Sequence, residues 1–468
     1  MPAAAGGRLP VLNPVDGATV VAEVPEMGGG DVAGAVGAAV EGYREWRRVA
    51  GPDRGEILLK AANLLRARTD DIAADLVAEM GKTMGEARGE VARSADFFEY
   101  FAAFGRLSAG DVLPDRRAEL TMTLREPVGV VLAITPWNDP LLTPARKLAP
   151  ALISGNAVIL KAATETPLVG LHLARALHDA GLPGGAIGTV TGRGSVVGPE
   201  LLRDERIDAV TFTGSTETGH EVKRSLADRN IRVQNEMGGK NAAVVMADAD
   251  LPAAIATIAG AAFGQGGQRC TATSRLLVAA DIIDDVLERL VAACGAIRVG
   301  PGTDPETAMG PMVSRGHQQS VLAAIAAARD EGAKILCGGG APNGALAAGC
   351  FVEPTVVANV EPSMAIWREE VFGPVLAVRP FDALEEAIDD VNNSEYGLSS
   401  AIFTQNLGAA HRFFSEVETG QVSVNLSTSG WDVHIPFGGF RESGSAFKEQ
   451  GAEAIRFFTR VKTVSIGH

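Results

Sequence analysis

The chain has 468 residues, 46% of them hydrophobic and 21% charged, an ordinary globular composition with room for two or more domains. A formal charge of −15 and a pI near 5.0 exclude nucleic acid and anionic membrane surfaces as partners, since either calls for a basic face. No apolar run reaches the roughly 18–20 residues of a membrane-spanning helix, and the N-terminus lacks the basic-then-apolar design of a signal peptide.

In chain order, a short extended entry is followed by a helix from Asp31 through Trp46, broken by Gly51-Pro52. Residues 61–80 repeat apolar side chains at helical spacing. From Val128 the texture changes. Buried strands are expected over 128–134, 157–161, 187–190 and 208–212, with helices over 144–154, 168–180 and 216–227 between and after them. Strand–helix alternation with short turns is the pattern of a parallel, doubly wound α/β sheet. A second such region opens with a strand over 241–246, carries helices at 251–263 and 282–294, and continues to about Val424. The tail, 454–466, reads as a strand that pairs with another edge, often another subunit's. The four cysteines, Cys270, Cys294, Cys337 and Cys350, are too few for a disulfide scaffold and show no metal spacing. They imply a reducing cytoplasm and no metal site.

Several stretches carry chemistry. Gln265-Gly266-Gly267-Gln268-Arg269-Cys270 is a glycine-loosened turn that can bring backbone N–H groups up to a sulfur. Glu236 stands beside Gly238-Gly239. A cysteine and a glutamate are the minimum set for attack on a carbonyl carbon followed by hydrolysis. Ile134-Thr135-Pro136-Trp137-Asn138-Asp139 follows a buried strand, where ligands of open α/β sheets gather, and Asn138 can offer an N–H to an oxyanion. Phe212-Thr213-Gly214-Ser215-Thr216 closes a strand and opens a helix, whose N-terminus suits a phosphate. Gly192-Arg193-Gly194-Ser195-Val196-Val197-Gly198 is not the dinucleotide fingerprint, because its third glycine comes one residue late. Each stretch alone reads better as ordinary structure: a capped helix, a polar turn, a structural thiol. Their co-occurrence in this order changes the reading.

Taken together, Thr135-Pro136-Trp137-Asn138, Phe212-Thr213-Gly214-Ser215-Thr216, Glu236-Met237-Gly238-Gly239-Lys240, Gly267-Gln268-Arg269-Cys270, Glu369-Glu370-Val371-Phe372-Gly373-Pro374 and Pro436-Phe437-Gly438-Gly439 resemble the aldehyde dehydrogenase superfamily over essentially the whole chain. The resemblance implies two doubly wound α/β domains and a small β oligomerisation arm. Residues 1–106 and 126–238 would form the NAD(P)-binding domain, 239–440 the catalytic domain, and 107–125 with 441–468 the arm of a homodimer or homotetramer. It also implies that Cys270 is the nucleophile, forming a thiohemiacetal and then a thioester. Asn138 with the Cys270 N–H would be the oxyanion hole, Glu236 the base that activates the hydrolytic water, and Lys147 a supporting lysine. On the cofactor side, Lys161 and Ser215 match ribose and phosphate contacts. Pro136, Trp137 and Gly214 match the region beside the dinucleotide. Glu370 matches the residue on the nicotinamide ribose, with Phe372 packed beside it.

NAD-preferring members often carry a glutamate three residues after the cofactor lysine, and Thr164 stands there instead. A threonine does not repel a 2′-phosphate, so NADP is expected to be accepted, even preferred over NAD. Asp139 replaces an aromatic residue common in the family, which implies a more polar substrate mouth. Arg146, Trp431, His434 and Phe437 are the other expected substrate contacts, with Arg146 and Arg269 as carboxylate partners. Glu236-Met237-Gly238-Gly239-Lys240-Asn241 and Asp432-Val433-His434-Ile435-Pro436-Phe437 resemble most the α-ketoglutaric semialdehyde dehydrogenase branch. The expected substrate is then a short carboxylate-bearing aldehyde, such as α-ketoglutaric or succinic semialdehyde. An aromatic or pyridine-containing aldehyde is the alternative within the class. A non-catalytic binding relative and acyl transfer to coenzyme A are the alternatives outside it.

Overall fold

The computed structural model describes residues 7–107 and 109–467. Residues 1–6, Ser108 and His468, at the edges of the expected domains, lie outside the described residues. Four helices come early: α1 (Gly29–Trp46), α2 (Gly51–Ala67), α3 (Thr69–Met80) and α4 (Met84–Ala102). Gly51-Pro52, expected to break a helix, opens one. Proline's fixed φ and missing N–H suit a first turn. The continuous helix expected over 61–80 is two helices. The chain leaves helical geometry at Arg68 (φ −106°, ψ 19°), and Asp70 and Asp71 favour the new N-terminus of α3. Helix α3 ends on Gly81 at φ +87°, and Thr83 with Glu86 caps α4 reciprocally.

Five parallel strands form the first sheet, in the spatial order Ile187–Val190, Ala157–Lys161, Val130–Ile134, Ala209–Thr213 and Arg232–Glu236. Ala157–Lys161 is buried at every position, as expected of a strand covered on both faces. The first strand begins two residues later than expected. Gly129 sits at φ +139° beneath Asp208, whose Oδ2 accepts from the Val130 N–H at 2.8 Å. Around this sheet lie α5 (Leu142–Ile153), α6 (Leu168–Asp179), α7 (Gly194–Arg203) and α8 (Thr216–Ser225).

After Glu236 the chain passes directly, through residues 237–240, into strand Asn241–Val245 of a seven-stranded sheet. That sheet is parallel except for its outermost strand, Lys334–Cys337, which pairs antiparallel with Thr355–Ala358. The crossing between the two sheets therefore falls on the motif that carries Glu236.

A third, antiparallel sheet joins Val112–Leu113, Leu120–Pro127 and Thr459–Ile466. The terminal strand thus pairs with an edge of its own chain. Its expected start at Ala454 is corrected: Ala454–Phe458 is a short helix, because Phe457 and Phe458 turn into the core shared by α2, α4 and α5. Residues 454–458, expected in the arm, pack into that core. Val112 and Val461 of this small sheet are exposed. Among the described residues no helix is long and apolar enough to cross a membrane.

Two glycines of α1 separate packing from propensity. A Cβ on Gly42 would lie 2.1 Å from the Gly185 carbonyl carbon, whereas one on exposed Gly34 meets nothing within 4 Å. Calorimetry should show Gly42→Ala losing about 1–3 kcal/mol and Gly34→Ala gaining up to about 1 kcal/mol. A Gly42→Ala midpoint at or above wild type contradicts the packing.

Candidate active site

The loops at the carboxyl ends of the first sheet meet the loop before Thr273–Ala279 of the second. Gln265, Gly266 and Gly267 all take positive φ (55°, 65° and 67°), so the chain coils tightly there. A Cβ on Gly267 would lie 2.2 Å from the Gly373 carbonyl oxygen, which leaves room for glycine alone. The coil fastens the two loops together. Gln265 Nε2 donates to the Asn138 carbonyl at 2.6 Å, and Asn138 Nδ2 donates to the Gln268 carbonyl at 3.0 Å. Asn241 Nδ2 holds the Cys270 carbonyl at 2.7 Å. Asn138, Glu236 and Cys270 consequently line one cavity of about 230 Å³.

Glu236 ends its strand with both carboxylate oxygens buried and without a hydrogen bond among the described residues. Burial, then the neighbouring Glu449 carboxylate, push its pKa well above the ordinary range, while Lys147, Lys448 and Arg146 pull it down. Burial also pushes the half-buried Cys270 thiol up to about 12, and Arg146 is the cation that opposes this. The cavity therefore holds a protonated thiol together with a carboxylate of raised basicity.

Lys147 does not contact Cys270 directly. Its Nζ donates to Thr211 Oγ1 at 2.8 Å and is ion-paired with Glu449, and burial lowers its pKa. Glu449 escapes sequence reasoning because its partner is 302 residues away and Lys448-Glu449-Gln450 looks like a solvated run. Arg146 Nη1 lies 3.6 Å from Glu449 Oε2, and its guanidinium sits 4.6 Å from the centroid of the Phe437 ring.

The other side of the cavity is lined by the residues expected to hold the dinucleotide. Ser215 caps α8, accepting from the Thr218 N–H at 3.3 Å, and Gly214 lies against the Phe212 ring. Glu370 Oε1 accepts from the Gly239 N–H at 2.8 Å, and burial raises its pKa to about 7. A Cβ on Gly238 would lie 2.1 Å from Glu370 Oε2, so only glycine leaves that carboxylate its place. Trp137 packs edge-to-face on Phe372 at 5.3 Å, and His317 Nε2 reaches the Phe372 carbonyl at 2.8 Å. Pro136 completes the wall. Lys161 and Thr164 lie farther along the sheet, outside this cavity. Thr164 Oγ1 donates to the Gly192 carbonyl at 3.4 Å, and the buried Lys161 ammonium forms no hydrogen bond or ion pair among the described residues, Glu165 acting on it only electrostatically. A helix N-terminus, a lysine ammonium without a hydrogen bond and the Glu370 carboxylate fit a phosphate-bearing, hydrogen-bonding cofactor.

Cys270 also opens onto a second cavity, of about 330 Å³, shared with Leu142, Arg146, Trp431 and Phe437. Two substrate expectations change here. Asp139 lines both cavities, but its carboxylate is engaged by buried Lys82 at 2.7 Å and by Gln265 at 3.2 Å, so it is less a polar mouth than part of the wall. His434 lines neither cavity. A turn closed by the Ile435 N–H on the Asp432 carbonyl at 3.0 Å points it outward, with 60% of its side chain exposed. Lys82, Glu90, Arg93 and His317 are site residues that no sequence motif marked.

The comparisons agree with this geometry. The aldehyde dehydrogenase family domain matches residues 2–464, and the chain belongs to that family. The chain is 45% identical to the alpha-ketoglutarate semialdehyde dehydrogenase of Haloferax volcanii, over 98% of its own length and 95% of the relative's. It is 40% identical to the alpha-ketoglutaric semialdehyde dehydrogenase of Bacillus subtilis, with the same coverage of 98% and 95%. The crystal structure of betaine aldehyde dehydrogenase from Staphylococcus aureus in complex with NAD+ superposes with a TM-score of 0.97 at 32% identity, covering 99% of this chain and 92% of that one. The protein is an oxidoreductase acting on aldehydes with a nicotinamide cofactor. Within the family it is most like the α-ketoglutaric semialdehyde branch.

A thiol pKa near 12 has a direct consequence. In cofactor-free enzyme, alkylation of Cys270 by iodoacetamide should quicken about tenfold per pH unit from pH 7 to 10. Arg146→Met should slow it throughout. A rate that levels off above about pH 9.5, as for an unperturbed thiol, contradicts the desolvation.

Proposed function

We propose that the enzyme oxidises a short aldehyde with a distal carboxylate, such as α-ketoglutaric or succinic semialdehyde, to the free acid. The observation that carries this reading is one sulfur, Cys270, facing both the Glu236 cavity and an arginine-lined cavity. In this reading the Cys270 sulfur bonds to the aldehyde carbon as Glu236 takes the thiol proton. The second Asn138 Nδ2–H and the Cys270 N–H stabilise the oxyanion of the thiohemiacetal. The nicotinamide, when bound, supplies the two-electron acceptor. Cys270 is left holding the acyl group as a thioester. Glu236 passes the thiol proton to solvent and, with no hydrogen bond to restrain it, then takes a proton from the water that attacks the thioester and returns it to the departing Cys270 sulfur, releasing the carboxylic acid and the thiol. A positioned base for water favours hydrolysis over transfer to coenzyme A.

Ser215 and Lys161 are assigned to the cofactor's phosphate and ribose, Glu370 to the nicotinamide ribose, and Pro136, Trp137, Gly214 and Phe372 to the walls beside it. Thr164 presents no carboxylate, and Lys161 is available to pair with a 2′-phosphate, so NADP is accepted and preferred. Lys147 supports the site through Glu449. Trp431 and Phe437, with ring centroids 6.2 Å apart, favour an aromatic aldehyde as the second reading. The exposed apolar residues of the three-stranded sheet suit a homodimer or homotetramer. The four free thiols suit the cytoplasm.

Steady-state kinetics on the wild type tests both choices. Succinic and α-ketoglutaric semialdehydes should exceed benzaldehyde in kcat/KM, and NADP should equal or exceed NAD. Negligible turnover of both semialdehydes, or a large NAD preference, contradicts the corresponding choice.

A further inference from the structure

We infer that Arg93 and Arg269 form the anion subsite for the far carboxylate of the aldehyde, and that Arg93 links its occupancy to the loop carrying Trp431. The inference rests on the carboxylate-bearing substrate proposed above.

Charges around the second cavity are unevenly paired. Its walls hold four cations, Lys82, Arg93, Arg146 and Arg269, and three anions, Glu86, Glu90 and Asp139. The anions are already satisfied by the protein. Glu90 and Asp139 share the Lys82 ammonium, and Glu90 Oε1 also accepts the Leu141 and Leu142 N–H groups at 2.9 and 3.0 Å. Glu86 accepts from the Thr83 N–H at 3.0 Å and the Gln265 N–H at 2.7 Å. Arg146 has Glu449 at 3.6 Å.

Arg93 and Arg269 differ from these. Among the described residues neither forms an ion pair, and each spends one hydrogen bond on a neutral oxygen. Arg93 Nη1 donates to the Trp431 carbonyl at 2.8 Å, and Arg269 Nε donates to Gln265 Oε1 at 2.8 Å. Arg269 also acts electrostatically on Asp139, but Lys82 is that carboxylate's direct partner. A guanidinium has five N–H donors in a planar fork that matches a carboxylate. Two half-buried guanidiniums with donors to spare, facing a cavity that already contains the Cys270 sulfur, are built for a second anion. Each is fixed by its single neutral bond, so little freedom is lost when the carboxylate arrives. The bond from Arg93 to Trp431 gives the bound carboxylate a hold on the 426–435 loop. An uncharged aldehyde lacks that hold.

The test is the ratio of kcat/KM for succinic semialdehyde to that for butyraldehyde, which has the same chain length without the carboxylate. Arg93→Met and Arg269→Met should each lower this ratio by about 10–100-fold, mainly through KM for the semialdehyde. Arg93→Lys should recover part of the loss. If wild type does not favour the semialdehyde, the substrate reading fails and takes the subsite with it. If wild type favours it but the arginine variants keep the wild-type ratio, even with lower activity on both aldehydes, the subsite alone is overturned.

Discussion

Loss of solvent around two acids in one small cavity is the constraint from which the rest of the site follows. Burial drives the Cys270 thiol up to about 12 and the Glu236 carboxyl well above its usual range. A thiol so placed is inert alone at neutral pH, and a carboxylate so placed is a far better base than one in water. The two perturbations belong together, because the proton one group holds too tightly is the proton the other has become able to take. Arg146 and Lys147 temper the field, each of them near Glu449. The surrounding glycines are explained by the same crowding. Gly238, Gly267 and Gly438 each lie where a Cβ would strike Glu370, the Gly373 backbone or Glu236.

Such a site has to be built from two sheets, and the fold supplies the joint. Glu236 ends the first sheet and, across residues 237–240, the second begins. Gln265, forced into positive φ, reaches from the thiol loop to the backbone of Asn138. Asn138 and the Cys270 loop are therefore tied together by hydrogen bonds, although they are far apart in the chain. The coupling extends outward. Glu86 holds the Gln265 N–H, and Lys82 ties Asp139 to Glu90 on α4, so α4 braces both loops. That brace explains why Asp139 can occupy the wall at all. A carboxylate there would be costly to bury without the Lys82 ammonium.

What the sequence makes legible follows the range of the interactions. Strand Ala157–Lys161 is read to the residue because its burial is complete and its signal local. The motifs around Cys270, Glu236 and Asn138 are read because glycines and caps mark turns within a few residues. The break at Arg68 is missed because it carries no glycine or proline. Glu449, Lys82 and Arg93 are missed for a different reason. Glu449 and Arg93 have partners 302 and 338 residues away, and Lys82 bridges Glu90, 8 residues on, to Asp139, 57 residues on, a pairing no local pattern records. His434 errs in the opposite direction: its motif placed it on the right loop, but the turn that aims it outward depends on backbone hydrogen bonds invisible to composition.

The central claim is that Glu236 serves the water that releases the acyl group from Cys270. Its most direct test is mass spectrometry of Glu236→Gln after prolonged mixing with semialdehyde and NADP at about pH 10, where a small share of Cys270 is thiolate without the base. A stable adduct equal in mass to the acyl group, mapped to the peptide containing Cys270, is the predicted result. Release of the acid at the wild-type rate, or an adduct on Cys294, Cys337 or Cys350 instead, would contradict it.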